Sequence, residues 1–432
     1  MKTFIDSKLT ILKADRVLQN SLYLMASTAV MAVFGFVFWL VSARLYNPAQ
    51  IGLASTLISS ATTLSLFSLL GFDNVLVRYL PATHKNPERV IDASILLTCL
   101  ASLVLSIGFL LALPVISPSL HSLLGGPWRS AFFVVIMLLV TVNTLTDSVF
   151  IGWQAAKYIL LADTGLSVAK VGLPIVLVGL GTFGIFTGYA VAVTVATVIS
   201  LAALAKRYGY WFRPVLHRET VRNVRSFSAG AYLANLAQAA PMMVLPIMAT
   251  DVLGASAAAF FNLAMTIATL LFIIPRATAN SLFAESSKAS AVFARQYGRS
   301  IAQTALILVP AVALMLAAGP LVLRVFGTQY VHGSTLPLQI LAVSGLSLAF
   351  NSIATIALKI RHALKSLIVI EVVGTLVMLL TAAPLMKTMG VSGAAWAWTA
   401  GQLVMSAALA VAAPAALRRS VPAFEVAAGG AA

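Results

Sequence analysis

Twelve long apolar runs, separated by short polar connections, constrain this chain more than any other feature of its sequence. About 20 apolar residues in a helix cross the hydrocarbon of a bilayer, and 432 residues leave room for about a dozen such helices. Hydrophobic residues make up 60% of the chain and charged residues only 9%, whereas a soluble domain carries about 25% charged residues. The runs are continuous, unlike the alternating segments of a transmembrane β-barrel. The chain is therefore predicted to be an all-α, polytopic membrane protein.

Turn residues between the runs define the predicted ends of the transmembrane helices to within a few residues. The predicted spans are 20–43, 51–77, 91–116, 130–152, 159–180, 183–205, 226–250, 256–275, 300–323, 335–358, 366–386 and 391–416. The predicted organisation is an N-terminal segment (1–19), an N-lobe (20–205), a basic connector (206–225), a C-lobe (226–416) and a tail (417–432).

The distribution of basic residues predicts the orientation of these spans. The chain has 28 Lys and Arg against 12 Asp and Glu, which gives a net charge of +16. If the N-terminus is cytoplasmic, 23 of the 28 basic residues lie in cytoplasmic segments. Four lie outside: Arg44, Arg129, Arg324 and Lys387. Because basic residues near span ends resist translocation, both termini are predicted to be cytoplasmic. The excess positive charge then indicates anionic membrane lipid as a partner, rather than nucleic acid.

The sequence lacks the motifs of several enzyme classes. It contains no P-loop, no H-E-x-x-H and no G-x-S-x-G, and its five histidines lie in or near predicted loops. Its single cysteine, Cys99, excludes both a disulfide within the chain and a cysteine-based metal cluster. A catalytic site would need a clustered nucleophile and base. No catalytic site, metal site or cofactor is predicted, and the protein is not expected to be an enzyme.

The pattern of spans repeats after six helices, with a shift close to 208 residues. The matched pairs are Asn143 with Asn351, Asp163 with Glu371 and, at a shift of 206, Gly184 with Gly390. Six helices is an even number, so the two halves have the same orientation in the membrane. The sequence therefore predicts two parallel six-helix lobes around a central cavity, with rocking of the lobes as the transport mechanism.

Lys170 is the one basic residue inside a predicted span. It lies about 11 residues into the fifth span, close to mid-membrane, where a lysine is costly to insert. It is therefore a candidate cationic contact for an anionic head group. The alternative is a structural lysine paired with Asp163, which lies seven residues earlier on the same helical face.

Three carboxylates lie in the predicted cytoplasmic half of the membrane: Asp147, Asp163 and Glu371. They are candidates for H⁺ or Na⁺ coupling, because ionisable groups inside membranes often serve proton and ion pathways. The alternative is that they snorkel to the cytoplasmic surface.

Polar residues within the spans give candidates for substrate binding. The seventh span carries Asn235 and Gln238, and its two prolines, Pro241 and Pro246, predict a bent helix of the kind that lines transporter cavities. Together with Lys170, the substrate-binding candidates are Asn143, Asn235, Gln238 and Asn351.

Several motifs resemble the polysaccharide-biosynthesis flippases, which move lipid-linked oligosaccharides such as O-antigen precursors. These belong to the multidrug/oligosaccharidyl-lipid/polysaccharide (MOP) exporter superfamily. The N-terminal motifs are Ala43-Arg44-Leu45-Tyr46-Asn47-Pro48, Ile51-Gly52-Leu53 and Gly71-Phe72-Asp73-Asn74-Val75-Leu76-Val77-Arg78-Tyr79-Leu80-Pro81. The second-lobe motifs are Val252-Leu253-Gly254-Ala255, Pro275-Arg276 and Phe283-Ala284-Glu285. Arg78, within the last of the N-terminal motifs, joins the substrate-binding candidates.

The resemblance implies a transporter in the bacterial plasma (inner) membrane that serves lipopolysaccharide or exopolysaccharide assembly. Its implied substrate is a polyprenyl-pyrophosphate-linked glycan, which moves from the inner to the outer leaflet by alternating access. H⁺ or Na⁺ and other glycan-assembly proteins are the further implied partners. A cation-coupled multidrug exporter of the same superfamily is the alternative function, and a non-transporting membrane scaffold also stays open.

Overall fold

The computed structural model describes residues 16–82, 87–214, 218–286, 293–360 and 363–418, and these residues form fourteen α-helices and no strand. Twelve of the helices are long and apolar enough to cross a membrane, which confirms the predicted all-α, polytopic fold. The N-lobe helices are α1 (Arg16–Leu45), α2 (Pro48–Ser68), α3 (Phe72–Tyr79), α4 (Pro87–Ile116), α5 (Pro118–Leu124), α6 (Pro127–Gly152), α7 (Lys157–Val176) and α8 (Thr182–Tyr208). The C-lobe helices are α9 (Arg218–Leu253), α10 (Ala255–Ser286), α11 (Phe293–Phe326), α12 (Thr328–Ile360), α13 (Leu364–Met389) and α14 (Val391–Arg418).

The short helices α3 and α5 lie between spans, so the remaining twelve helices alternate in direction across the membrane. Six of these helices begin at the same membrane face, which we call the basic face: α1, α4, α7, α9, α11 and α13. We call the other membrane face the opposite face.

The two lobes repeat the same helix pairings. In the N-lobe α1 packs on α7, α7 on α8, α6 on α8, α2 on α6, and α4 on α6. The corresponding C-lobe pairs are α9 with α13, α13 with α14, α12 with α14, α10 with α12, and α11 with α12, and all of them are in contact. The lobes meet where α2 packs on α9 and α10. This confirms two six-helix lobes of the same orientation.

A repeated turn fixes the register between the lobes. Gly181 before α8 (φ 56°, ψ −131°) and Gly390 before α14 (φ 62°, ψ −138°) share a conformation that is essentially restricted to glycine. The structural match here is thus Gly181 with Gly390, a shift of 209 residues. The sequence match of Gly184 with Gly390 was three residues out of register, because it aligned glycines without their backbone conformations.

Helix ends differ from the predicted spans mainly at the basic face. The second span, predicted as 51–77, ends at Ser68, because Leu70 and Gly71 adopt positive φ angles and start the separate helix α3. The seventh begins at Arg218, inside the predicted connector 206–225, and α10 continues to Ser286. Arg276 is therefore inside a helix instead of following one.

Candidate functional site

A cavity of about 540 Å³ opens within the C-lobe and extends to the end of α2. We call it the first cavity. Its walls come from α2 and α3 of the N-lobe and from α9, α10, α12, α13 and α14 of the C-lobe. Its polar lining residues are Asp73, Tyr232, Gln238, Arg276, Asn351, Ser352, Thr355, Lys359, Glu371, Thr375, Trp398 and Gln402. Because α10 and α12 run towards the basic face and α13 starts there, Arg276, Lys359 and Glu371 lie near that face.

The charges in the first cavity differ in accessibility. The cations Arg276 and Lys359 have exposed side chains, whereas Glu371 is only 6% exposed and Asp73 is half-buried. Burial also raises the pKa of the Asp73 carboxyl, which favours its neutral form. Lys359 interacts electrostatically with the buried Glu371, whereas Arg276 has no carboxylate partner among the described residues. The accessible charges of this cavity are therefore positive.

A buried hydrogen-bond network supports one wall of the first cavity. The Asn351 amide of α12 donates to the backbone carbonyl and to Oε1 of Gln402 on α14, at 2.9 Å in both cases. The Ser406 hydroxyl donates to Asn351 Oδ1 at 2.8 Å. Asn351 and Gln402 are each 7% exposed, so the network fixes the side chains of two lining residues.

A second cavity of about 240 Å³ lies deeper between the lobes, lined by residues of α2, α9 and α10. It shares the wall residues Pro241 and Met242 with the first cavity. Its polar lining residues are Ser59, Thr62, Thr63, Asn262, Thr266 and Thr269. None of the described lining residues carries a charge.

Beyond the second cavity, α2 and α10 close the space between the lobes. Gly52 of α2 approaches α10 so closely that a Cβ atom there would lie 1.7 Å from the Ala255 carbonyl oxygen. The Asn262 amide donates to the Ser55 hydroxyl at 2.8 Å. The hydroxyls of Thr56 and Thr250 lie 3.0 Å apart.

Two further contacts join the lobes at the opposite face. The Arg44 guanidinium donates from Nε to the Val325 carbonyl at 2.9 Å, and the Ser119 backbone N–H donates to Asp251 Oδ1 at 3.2 Å. We call these contacts, with those of Gly52, Ser55 and Thr56, the inter-lobe closure. Near the basic face, the Tyr232 hydroxyl donates to the Phe67 carbonyl beside the first cavity. The two cavities therefore lie towards the basic face, and the inter-lobe closure lies between them and the opposite face.

The first N-terminal motif builds the turn behind this closure. Asn47 caps α2 by accepting from the Gln50 backbone N–H at 2.9 Å, and Gln50 Oε1 accepts from the Asn47 N–H at 3.2 Å. Pro48 occupies the first turn of α2, where its missing N–H is not needed. The Tyr46 hydroxyl donates to the Pro174 carbonyl of α7 at 2.7 Å. This motif therefore positions Arg44 and α2 at the lobe interface.

A separate polar group lies inside the N-lobe. The Ser27 hydroxyl of α1 donates to Asp163 of α7. On α6, the side-chain oxygens Asn143 Oδ1 and Asp147 Oδ1 are buried without a hydrogen-bond partner among the described residues. Buried unpaired acceptors of this kind are costly, which makes them candidates for binding H⁺ or a cation.

Lys170 lies against two aromatic rings of the N-lobe. Its Nζ is 4.6 Å from the ring centroid of Phe38 and 5.8 Å from that of Tyr189. Both distances are within the range of cation–π attraction. Within the described part of the chain, Lys170 forms no ion pair with Asp163 or another carboxylate.

The structure brings only some of the predicted site residues together. Gln238, Asn351 and Glu371 line the first cavity. Asn143, Asp147 and Asp163 belong to the polar group inside the N-lobe, which we call the N-lobe group. Lys170 lies apart from it against the aromatic rings, and the roles of all four residues stay predictions. Arg78 is an exposed residue of α3 that lines neither cavity. The Asn235 side chain lies outside the described residues.

Sequence reasoning missed nine of the twelve polar lining residues of the first cavity, among them Asp73, Arg276, Lys359 and Gln402. Asp73 and Arg276 are part of the quoted motifs, so the motifs contained the signal. Arg276 and Lys359 each follow directly after a predicted span, where a basic residue is the ordinary marker of topology. Gln402 lies in an apolar span with no distinctive spacing.

Comparisons with known proteins agree with this architecture. The family described as polysaccharide biosynthesis protein matches residues 17–283, more than half of the chain. No curated protein matches the sequence. The fold is similar to that of a multidrug resistance MATE family transporter of the MOP superfamily. The inward-facing structure of that transporter and this chain have a TM-score of 0.68 and 16% sequence identity. The match covers 91% of this chain and 98% of the transporter chain.

Two further solved structures share the fold. An outward-facing MATE family transporter has a TM-score of 0.61 at 16% identity, covering 94% of this chain and 96% of its own. A MOP superfamily transporter from Pyrococcus furiosus gives the same score, identity and coverage. At identities of 16% the likeness to these structures shows the fold alone. The family match covers the N-lobe residues that line both cavities, and also α9 and most of α10. The chain belongs to the polysaccharide biosynthesis protein family, and its fold is similar to that of MATE and other MOP superfamily transporters.

Proposed function

We propose that this protein translocates a polyprenyl-pyrophosphate-linked glycan from the cytoplasmic to the outer leaflet of a bacterial plasma membrane by alternating access. The observation that carries the proposal is the pair of exposed cations, Arg276 and Lys359, in a cavity whose carboxylates are buried or half-buried. Guanidinium and ammonium groups bind phosphate oxygens through charge-assisted hydrogen bonds. A cationic drug would instead meet repulsion from both of these groups.

The position of the cations also suits a lipid-linked anion. Arg276 and Lys359 lie near the basic face, at the depth where a lipid head group enters from the bilayer surface. The lipid tail can then stay in the hydrocarbon while the polar part occupies the cavity. The excess of Lys and Arg favours a cytoplasmic basic face. In that orientation, the first cavity would accept its substrate from the inner leaflet.

We assign ion coupling to the N-lobe group. Asp147 and Asp163 are separated from the first cavity, and the buried acceptors on Asp147 and Asn143 have no described partner. Binding of H⁺ or Na⁺ there would change the charge inside the N-lobe without competing for the cations that hold the substrate.

The proposal is tested in a bacterium that carries this gene and makes a lipid-linked glycan. Deletion is expected to trap that glycan on the cytoplasmic leaflet, and the wild-type gene should release it. The Arg276→Gln/Lys359→Gln variant should restore less than about a tenth of export, because each charge-assisted contact contributes about 1.5–3 kcal/mol. Arg207→Gln, which removes a basic charge from the end of α8 outside both cavities, is the matched control and should restore export fully.

A different result would favour the multidrug alternative. If deletion leaves the leaflet distribution of the glycan unchanged and makes the cells sensitive to lipophilic cations, the flippase proposal is wrong.

A further inference from the structure

We propose that the second cavity binds the first uncharged sugars of the substrate, so that the cations and the hydroxyl-lined cavity recognise different parts of one molecule. This inference rests on the proposed function and adds to it a site for the glycan itself.

The composition of the second cavity is the first argument. Its polar groups are hydroxyls and one amide, and no charged residue is among its described lining residues. A cavity for a cation would need a carboxylate, and a cavity for a phosphate would need a basic group. Hydroxyls and amides suit a neutral ligand that is rich in hydroxyl groups, which is the chemistry of a sugar.

The hydrogen bonds of the threonines are the second argument. Thr62 donates to the Ile58 carbonyl at 2.9 Å, Thr266 to the Asn262 carbonyl at 2.8 Å, and Thr269 to the Thr266 carbonyl at 2.6 Å. Their protons are therefore committed to the helix backbone, while each hydroxyl oxygen keeps lone pairs that accept hydrogen bonds. Sugar hydroxyls can supply the matching donors.

The spacing along α10 is the third argument. Thr269 is seven residues from Arg276 and Asn262 is fourteen, which corresponds to about 10 Å and 21 Å along a helix. A pyrophosphate held by Arg276 would thus place the sugars attached to it in the direction of the second cavity. The shared wall of Pro241 and Met242 makes the two cavities neighbours along this line.

The inter-lobe closure is the fourth argument. The Asn262 side chain lines the second cavity and also donates to Ser55 in the closure. A sugar hydroxyl that accepts a hydrogen bond from the same Asn262 N–H would replace this contact. Occupation of the second cavity by sugar would therefore weaken the closure, whereas a carrier without sugar would leave it intact.

The test compares two probes on the purified full-length protein: undecaprenyl pyrophosphate, and the same carrier bearing a disaccharide of N-acetylhexosamines. The wild type is expected to bind the glycosylated carrier more tightly. Thr62→Val/Thr266→Val, which removes two hydroxyls at nearly constant volume, should weaken binding of the glycosylated carrier about 5- to 50-fold. Binding of the bare carrier should change less than twofold, which also shows that the variant is folded. Thr62→Ser/Thr266→Ser should restore the preference.

Thr381→Val is the matched control, because Thr381 donates to the Val377 carbonyl of α13 in the same way and lines neither cavity. It should bind both probes like the wild type. If the double valine variant keeps the full preference for the glycosylated carrier, the sugar site is wrong while the proposed function stands. If the wild type binds neither probe, the proposed function fails and this inference fails with it. If the double variant does not fold, Thr269→Val alone is measured against the same criteria.

Discussion

Asp163 and Glu371 occupy the second turn of α7 and of α13, equivalent helices of the two lobes, yet their neighbours differ. Asp163 accepts a hydrogen bond from Ser27 inside the N-lobe, whereas Glu371 lines the first cavity together with the exposed Lys359. The two carboxylates therefore lie at similar depths in equivalent helices. Because their surroundings differ, we expect Asp163 to serve ion coupling and Glu371 to influence substrate binding.

Substitution of these two carboxylates should therefore have different effects. Glu371→Gln removes a negative charge from the first cavity and is expected to tighten binding of undecaprenyl pyrophosphate about three- to tenfold. Asp163→Asn should leave this binding unchanged and reduce the response of transport to an imposed H⁺ or Na⁺ gradient. Binding to purified protein and uptake into proteoliposomes measure the two effects. Identical behaviour of the variants in both assays would contradict the division of tasks.

Lys170 lies against two aromatic rings, and an uncharged side chain of similar length can also pack on them. Methionine also packs well on aromatic rings, and it avoids the cost of about 2.5–3.5 kcal/mol for inserting a lysine near the membrane centre. Lys170→Met is therefore expected to reach normal abundance in the membrane. If the positive charge serves transport, Lys170→Met should abolish export, and Lys170→Arg should retain part of it, because arginine keeps both the charge and the stacking.

Immunoblots of membranes and the leaflet distribution of the lipid-linked glycan give the two readouts for position 170. Normal export by Lys170→Met would remove the cationic role. Loss of the protein from the membrane would instead indicate that the lysine is structural.

Sequence analysis could predict a lining residue of the first cavity where a polar side chain lies inside an otherwise apolar span. Asn351 and Glu371 stood out because amides and carboxylates are rare inside spans, and both line the first cavity. Arg276 did not stand out, because a basic residue beside a predicted span end is the ordinary marker of topology. Its place in the cavity wall follows from the continuation of α10 to Ser286.

At the scale of helices, the contact between α2 and α10 closes the space between the lobes towards the opposite face. Gly52 permits this contact, because any side chain there would overlap the Ala255 carbonyl. The hydrogen bond between Ser55 and Asn262 lies one helical turn further along α2. The same two helices continue past the second cavity towards the first, so a tilt of one against the other would open one face and close the other.

Gly52→Ala should therefore open the opposite face. Gly35→Ala is the matched control, because a Cβ atom at Gly35 meets nothing within 4 Å and alanine in a helix is more stable than glycine by about 0.5–1 kcal/mol. Spin labels at Leu45 of α1 and Gln329 of α12, in a Cys99→Ala background, report the distance between the lobes at this face. We expect a longer distance for Gly52→Ala and an unchanged one for Gly35→Ala. An unchanged distribution for both would show that the glycine contact does not control the closure.

Apolar periodicity predicted the number of spans, but it could not predict where α2 stops. The run 51–77 is apolar enough for one helix, and the break at Leu70 and Gly71 arises from two residues with positive φ. Because of this break, Asp73 of α3 lies in the lining of the first cavity. The inter-lobe closure was also beyond prediction, since it depends on residues 132 to 281 positions apart.

For the whole molecule, the sign of charge at each face predicts the topology. Of the 28 basic residues, 23 lie in connections or helix ends that the sequence assigns to the basic face. This face is therefore expected to be cytoplasmic. Reporter fusions after residues 86 and 215 should be cytoplasmic, and fusions after residues 128 and 330 should be periplasmic. Reversal of any one fusion would contradict the parallel arrangement of the two lobes in the membrane.

The most direct test of the central claim is a flipping assay in proteoliposomes. The probe is a polyprenyl-pyrophosphate-linked oligosaccharide with a fluorescent sugar, and an impermeant reductant added outside bleaches only the molecules in the outer leaflet. With the wild-type protein we expect the protected fraction to fall well below that of protein-free vesicles, and Arg276→Gln/Lys359→Gln should slow this loss at least about tenfold. A protected fraction equal to that of protein-free vesicles, with the same preparation moving a lipophilic cation, would contradict the account.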